Sequence, residues 1–311
     1  MNNPTTPING ETETGQTRSG FVALIGAPNA GKSTLVNQLV GTKVSIVTHK
    51  VQTTRALVRG IFIENNAQIV LVDTPGIFRP KRRLDRAMVT TAWGGAKDAD
   101  IILVILDAQG SLNENAEALL ESMVNVRQKK ILVLNKVDRV DPPKLLELAQ
   151  KANEKVAFDR TFMISALSGS GCKDLAKFLA ETVPNGPWYY PEDQISDMPM
   201  RQLAAEITRE KLYLRLHEEL PYSSTVETES WEERKDGSVR IEQVIYVERE
   251  SQKKIVLGHK GETIKAIGQS ARKEISAILE QNAHLFLFVK VRENWGNDPE
   301  RYREMGLDFP K

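Results

Sequence analysis

The sequence predicts an α/β chain in two parts: a doubly wound, mostly parallel sheet with helices on both faces, then a small α+β domain. Three observations carry this expectation. Short β-branched runs alternate with amphipathic stretches from residue 21 to about 183, the pattern of right-handed strand–helix–strand crossovers. Residues 184–199 hold four prolines and no repeating apolar period, which reads as a semi-rigid linker. Beyond it the order becomes helix–strand–strand–helix–strand over residues 200–311, an α+β arrangement.

The runs at 21–25, 69–73, 101–106, 130–135 and 162–165 are almost continuously apolar, as strands buried on both faces are. Helices are expected between them at 32–40, 84–97, 115–126, 142–154 and 171–182. One more strand, 56–63, meets 68–73 across Glu64-Asn65-Asn66, a polar turn suited to an antiparallel hairpin. In the second part, Leu203, Ile207, Leu212, Leu214 and Leu216 recur on a largely helical period across 200–219. Residues 223–233 and 238–249 alternate around Lys235-Asp236-Gly237, a strong hairpin turn. A helix follows Gly261, and 284–292 reads as the last strand, with Phe286 and Phe288 expected to pack in the core.

Composition bounds the class. Of 311 residues, 41% are hydrophobic and 27% charged, ordinary for a globular protein. The net charge of +1 announces no polyanionic partner, so any such surface must arise by local clustering. Residues 1–20 are polar, lack the apolar stretch of a secretory signal, and are expected to be a disordered tail. The longest purely aliphatic run, 101–106, has six residues, far short of the roughly 20 a spanning helix needs. Cys172 is the sole cysteine, which fits a reducing cytoplasm. The histidines His49, His217 and His284 share no ligand spacing, so no protein-held transition metal is expected.

Gly26-Ala27-Pro28-Asn29-Ala30-Gly31-Lys32-Ser33, followed by Thr34, fits the phosphate-loop pattern GxxxxGK[ST] between a buried strand and a helix. Backbone N–H groups there close around phosphates at a helix N-terminus. Lys32 is expected to reach the β- and γ-phosphates and Ser33 to supply a hydroxyl to Mg²⁺. At the end of a later strand, Asp73-Thr74-Pro75-Gly76 places a carboxylate for Mg²⁺ and the Gly76 N–H for the γ-phosphate. Asn135-Lys136-Val137-Asp138 sets the base: the Asp138 carboxylate accepts from both guanine N–H donors. Adenine leaves that carboxylate unpaired, which penalises ATP and an ATP-driven RNA motor. Ser165-Ala166-Leu167 would put the Ala166 N–H on the guanine oxygen.

In this order and spacing the four motifs resemble those of translation-factor-type GTPases. Gln52-Thr53-Thr54-Arg55 lies where the first switch belongs. Likeness to related bacterial GTPases favours Thr54 over Thr53 as the third Mg²⁺ ligand. Lys32, Thr54 and Gly76 are then the residues expected to act in hydrolysis. The residue after the second motif is Ile77, where many signalling GTPases carry the glutamine that orients water, so slow intrinsic turnover is expected. Asn29 occupies a position resembling the potassium-ligating asparagine of related GTPases. It either holds an activating K⁺ or merely shapes the loop.

In the second part, Gly258-His259-Lys260-Gly261 sits between Val256-Leu257, read as an apolar strand or turn, and a helix. Cations and carboxylates nearly balance over residues 201–311, but within 251–275 Lys253, Lys254, Lys260, Lys265, Arg272 and Lys273 face only Glu262 and Glu274. That is a local surface for phosphates. The GxxG loop in this context resembles a type II KH domain, which holds single-stranded RNA. Lys253, Lys254, Gly258, His259, Lys260, Gly261, Lys265, Arg272 and Lys273 are the expected RNA contacts, with His259 against backbone or solvent rather than in chemistry.

Taken together, QTTR, DTPG, NKVD, Pro191-Glu192-Asp193, Glu219-Leu220-Pro221-Tyr222-Ser223, residues 247–254 (with Ser251 departing from an expected glycine) and the GxxG loop resemble the Era-type family of bacterial GTPases. The resemblance implies a GTP- and GDP-binding monomer that binds 16S rRNA near its 3′ end and assists 30S subunit assembly and rRNA maturation. It also implies a cytoplasmic protein with peripheral contact at the cytoplasmic face of the inner membrane. A competing reading is a membrane-associated signalling switch whose KH-like domain binds protein.

Overall fold

The computed structural model describes residues 16–110, 112–217 and 220–310. Most of the expected tail, residues 1–15, and Glu219 lie outside the described residues. The first sheet contains β1 (Arg18–Gly26), β2 (Val58–Glu64), β3 (Ala67–Asp73), β4 (Ile101–Asp107), β5 (Lys129–Asn135) and β6 (Arg160–Ile164). Their order across the sheet is β2-β3-β1-β4-β5-β6, all parallel except the β2–β3 hairpin. That hairpin turns at Asn65, whose φ of 55° is one an asparagine tolerates. β1 begins inside the expected tail, because Arg18, Ser19 and Gly20 pair in register with Ala67, Gln68 and Ile69.

Both faces of the sheet are covered, as its apolar strands require. Helices α1 (Lys32–Val40) and α5 (Cys172–Thr182) close one face; α2 (Arg83–Lys97), α3 (Glu114–Met123) and α4 (Pro142–Lys155) close the other. Strand order reverses on either side of β1, so the loop leaving its carboxyl end opens into the crevice where such sheets bind ligands.

Residues 184–199 do not hang free. They run along the outer edge of β2, where Ile61 N–H donates to the Ile195 carbonyl at 2.8 Å and the Ser196 hydroxyl donates to the Arg59 carbonyl at 2.8 Å. Gln68, fully buried, fastens the start of this strap: its Oε1 accepts from the Tyr189 and Tyr190 N–H groups and its Nε2 donates to the Tyr190 carbonyl. A proline-rich strap suits an edge strand because it covers unpaired backbone groups without offering a ladder of its own.

The second domain comprises α6 (Met200–Arg215), β7 (Ser224–Glu233), β8 (Val239–Val247), α7 (Glu250–Leu257), α8 (Glu262–Leu279), β9 (Ala283–Val291) and α9 (Pro299–Glu304). β7 and β8 are antiparallel, and β9 lies parallel to β8 at the sheet edge. Two features differ from expectation. The segment read as a strand or turn before the GxxG loop is the helix α7: Val256 is fully buried while its neighbour Ile255 is 56% exposed, so the aliphatic run is one rim of an amphipathic turn. Phe286 and Phe288 are 43% and 48% exposed. The helices cover the face carrying Leu285, Leu287 and Val289, which leaves the phenylalanines on the opposite one.

A further apolar cluster joins the two domains, with Leu84, Ala87 and Met88 of α2 packed on Trp295, Tyr302 and Leu307 near the C-terminus.

Candidate functional site

The turn from β1 into α1 forms the floor of a cavity of about 490 Å³. Gly31 adopts φ 95°, and a Cβ there would lie 2.1 Å from Asn135 Nδ2, so only glycine permits this approach. Lys32 Nζ donates to the Gly26 and Ala27 carbonyls at 3.1 Å each. Burial pulls its pKa down to about 8, opposed by the Asp73 carboxylate. Gly76 lies against the loop: a Cβ there would sit 2.8 Å from Pro28 N. The Thr74 hydroxyl, by contrast, faces inward and donates to the Leu24 carbonyl at 2.6 Å, tying the motif to β1.

Three oxygen-bearing side chains converge beside Lys32. Ser33 Oγ donates to Asp73 Oδ2 at 2.6 Å, and Thr54 Oγ1 lies 2.9 Å from Ser33 Oγ and 3.4 Å from Asp73 Oδ2. Thr53 turns away to the Lys50 carbonyl and Thr48. Asp73 is fully buried, and its Oδ1 has no hydrogen-bond partner. Burial pushes its carboxyl up, against the pull of Lys32 and of the Ser33, Ser45 and Thr54 hydroxyls. An orphaned, desolvated carboxylate oxygen among hydroxyls is a donor set that fits a hard divalent cation. Ser45, which donates to Asp73 Oδ2 at 2.7 Å, carries no motif and is missed by sequence reading.

The base pocket, about 140 Å³, is lined by Asp138, Ser165, Ala166 and Leu167 together with Thr34 and Lys136. The Ser165 side chain hydrogen-bonds Asp138 and holds its carboxyl below the usual range. Leu167 is 72% exposed at the rim, and the Lys136 ammonium pairs with Asp107. Asn135 and Ala166 are bonded to each other. Asn135 spends its amide on protein: Nδ2 donates to the Ala30 carbonyl at 2.8 Å and Oδ1 accepts from Ala166 N–H at 2.9 Å. It therefore knits the phosphate loop to the base loop, with the Ala166 N–H directed at Asn135 Oδ1. Ile77 packs its side chain against the core and donates its N–H to the Gly26 carbonyl at 3.0 Å, so it orients no water. Asn29 (φ 63°) donates from Nδ2 to the His49 carbonyl at 2.7 Å, joining the phosphate loop to the first switch.

On the second domain, α8 and β9 enclose a groove of about 390 Å³ lined by Ile264, Lys265, Gly268, Arg272, Leu285 and Leu287. The GxxG loop leads directly into α8. Gly258 has φ 74°, and a Cβ would meet Thr263 Oγ1 at 2.2 Å; Gly261 has φ 78°. His259 and Lys260 between them are exposed, as is Lys254 on α7, whereas Lys253 is half-buried. Lys265 and Arg272 face the groove; Lys273 is exposed but does not line it. Leu285 and Leu287 were legible as alternate residues of a strand, yet nothing local says which parity faces the groove.

Comparison with known proteins agrees with both halves. The model of the 50S ribosome-binding GTPase family matches residues 21–136, and that of the KH domain matches residues 219–296. GTPase Era of Brucella suis biovar 1 (strain 1330) is 91% identical over 310 residues, covering 100% of each chain. This chain belongs to the Era family of GTPases. GTPase Era of Rhizobium meliloti (strain 1021) is 75% identical, over 95% of this chain and 94% of its own. Among solved structures, Era in complex with MgGDPNP and nucleotides 1506–1542 of 16S ribosomal RNA superposes with a TM-score of 0.89 at 38% identity. It spans 93% of this chain and 99% of that one. An Aquifex aeolicus Era variant bound to GDP and aluminium fluoride matches equally, with a TM-score of 0.89. The chain is accordingly a GTPase, a phosphate-loop domain joined to a C-terminal KH domain. No helix among the described residues is long and apolar enough to cross a membrane.

Proposed function

We propose that this chain is a GTP-controlled RNA-binding switch that holds the 3′-terminal region of 16S rRNA and assists 30S subunit assembly. One observation carries the reading: the Era structure that superposes on this chain over both domains holds a GTP analogue and 16S nucleotides 1506–1542. Ser33, Thr54 and Asp73 are the residues that would hold Mg²⁺, and bound Mg²⁺ neutralises charge on the β- and γ-phosphates. Lys32, held at the loop by the Gly26 and Ala27 carbonyls, meets those phosphates, and the Gly76 N–H reports the γ-phosphate to the second switch. Asp138 selects guanine by accepting from two donors. Asn29 is proposed as a K⁺ ligand, since its amide and the His49 carbonyl stand together beside the phosphate loop and a cation there stabilises developing charge. In the KH groove, Gly258 and Gly261 let the RNA backbone approach while His259, Lys260, Lys265 and Arg272 meet its phosphates.

The deciding experiment is RNA crosslinked to this chain in cells and sequenced. Enrichment of the 3′ end of 16S rRNA is expected, lost when Lys260 and His259 are made acidic; crosslinks scattered evenly over cellular RNA would refute the target.

A further inference from the structure

Residues 79–86, directly after the second switch motif, carry Arg79, Lys81, Arg82, Arg83 and Arg86 against a single carboxylate, Asp85. Neither the nucleotide site nor the KH groove uses them. Arg79, Lys81, Arg82 and Arg86 are exposed, and Arg83 lies over the Phe309 ring at 5.0 Å. Asp85 does not neutralise the patch outwardly. It is 4% exposed and turns inward, its Oδ2 accepting from the Lys81 and Arg82 N–H groups at 2.9 Å each and its Oδ1 from Gln52 Nε2 at 2.8 Å. Arg79, Lys81 and Arg86 pair with no carboxylate among the described residues.

So many like charges on one short segment repel one another, and a polyanion offsets that repulsion. The apolar side chains of the segment point the other way: Leu84 is buried in the interdomain cluster and Phe78 packs on it. The patch therefore presents cations without an apolar edge to enter a bilayer, which favours a nucleic-acid backbone over a lipid surface. An RNA of the length proposed above also exceeds the roughly four nucleotides that a GxxG loop clasps.

We propose that residues 79–86 form a second RNA-backbone site, on the GTPase domain beside the second switch. This rests on the RNA-binding reading and extends it. Asp85 makes the site more than an anchor. Phosphates on the exposed cations order the turn whose N–H groups Asp85 accepts, and the same carboxylate holds Gln52 of the first switch. RNA lying across both domains thus steadies both switch loops.

The test uses the full chain with Arg79→Ala, Lys81→Ala and Arg86→Ala combined, which leaves the Asp85 and Arg83 contacts in place. Two RNAs are titrated with a non-hydrolysable GTP analogue across a KCl series. One is about six nucleotides long and fills only the KH groove; the other spans nucleotides 1506–1542 of 16S rRNA. The longer RNA should bind at least tenfold more weakly, with a slope of log affinity against log salt smaller by about 2 for three lost phosphates. Affinities for the short RNA and for GTP should be unchanged. Unaltered affinity and slope for the longer RNA would overturn the proposal, as would an equal loss for both RNAs. Lost binding to phosphatidylglycerol vesicles with intact RNA binding would assign the patch to a membrane surface instead. Short-RNA binding by the unaltered chain tests the KH reading separately, so the two readings cannot fail together unnoticed.

Discussion

Arg55 of the first switch donates from Nη2 to the Tyr213 hydroxyl of α6 at 2.7 Å, across the boundary between the two domains. Its Nη1 donates to the Ser224 carbonyl at 3.0 Å, and the side chain is 4% exposed between the Tyr213 and Trp295 rings. Neighbouring contacts repeat the theme. Arg209 of α6 donates to the Thr53 carbonyl, Glu210 accepts from the Val47 N–H at 2.8 Å, and Lys43 bridges Glu210 and Glu274 of α8. These contacts tie the first switch directly to the second domain, so an ordering of the loop by phosphate and Mg²⁺ acts on α6.

Arg55→Ala removes the guanidinium and its hydrogen bonds to the buried Tyr213 hydroxyl and Ser224 carbonyl, a cost of about 2–4 kcal/mol in thermal or denaturant unfolding. It should also separate the domains functionally. If the unaltered chain binds RNA about tenfold more tightly with a GTP analogue than with GDP, roughly 1.4 kcal/mol of coupling, the variant's ratio should approach one. Reciprocity requires RNA to tighten GTP binding by the same factor. Titrations in both nucleotide states at one salt concentration decide it; an unchanged ratio would mean that coupling runs elsewhere.

Guanine selectivity should rest on Asp138. Asp138→Asn removes a charged acceptor for two donors, each worth about 1.5–3 kcal/mol, so GTP affinity should fall roughly a hundredfold or more. Xanthosine triphosphate, with a carbonyl where guanine has an amine, should gain affinity. Undiminished GTP binding would remove Asp138 from the base pocket.

Replacing His259 and Lys260 by aspartate puts two negative charges against the RNA backbone on an exposed loop. RNA affinity should drop by more than tenfold while GTP affinity and the unfolding temperature stay as they are. RNA binding that survives in the folded variant would sink the groove assignment.

The pH dependence of nucleotide binding follows from Lys32. Burial lowers its pKa from 10.5 to about 8, and phosphates favour the charged ammonium, so binding raises it. Above about 8 the free protein carries a neutral lysine and the complex a charged one. Binding should therefore take up a proton at pH 9 and none at pH 7, with affinity declining as pH rises through that window. Calorimetry in two buffers of different ionisation enthalpy measures the uptake directly.

If Asn29 holds K⁺, turnover in KCl should exceed turnover in NaCl at matched ionic strength, and Asn29→Ala should abolish the difference. Equal rates in the two salts would leave Asn29 as a loop-shaping residue bonded to His49.

The phosphate loop, the DTPG and NKVD turns and the GxxG loop were legible in the sequence because each is a short backbone geometry whose residue types are dictated within a few positions. Gly31 and Gly258 illustrate this, at φ values of 95° and 74°. The order of strands and helices was legible for a similar reason, since buried strands and amphipathic helices write their periods locally. What the sequence left open depends on residues far apart in the chain. Thr54 rather than Thr53 faces Asp73 because the switch packs on α6, and Asn135 serves the loops because Ala30 and Ala166 close on it from either side. Phe286 and Phe288 lie outside the core because α7 and α8 took the other face of β9. Alternation along a strand determines which residues share a face; only the packing of the helices decides which face is buried.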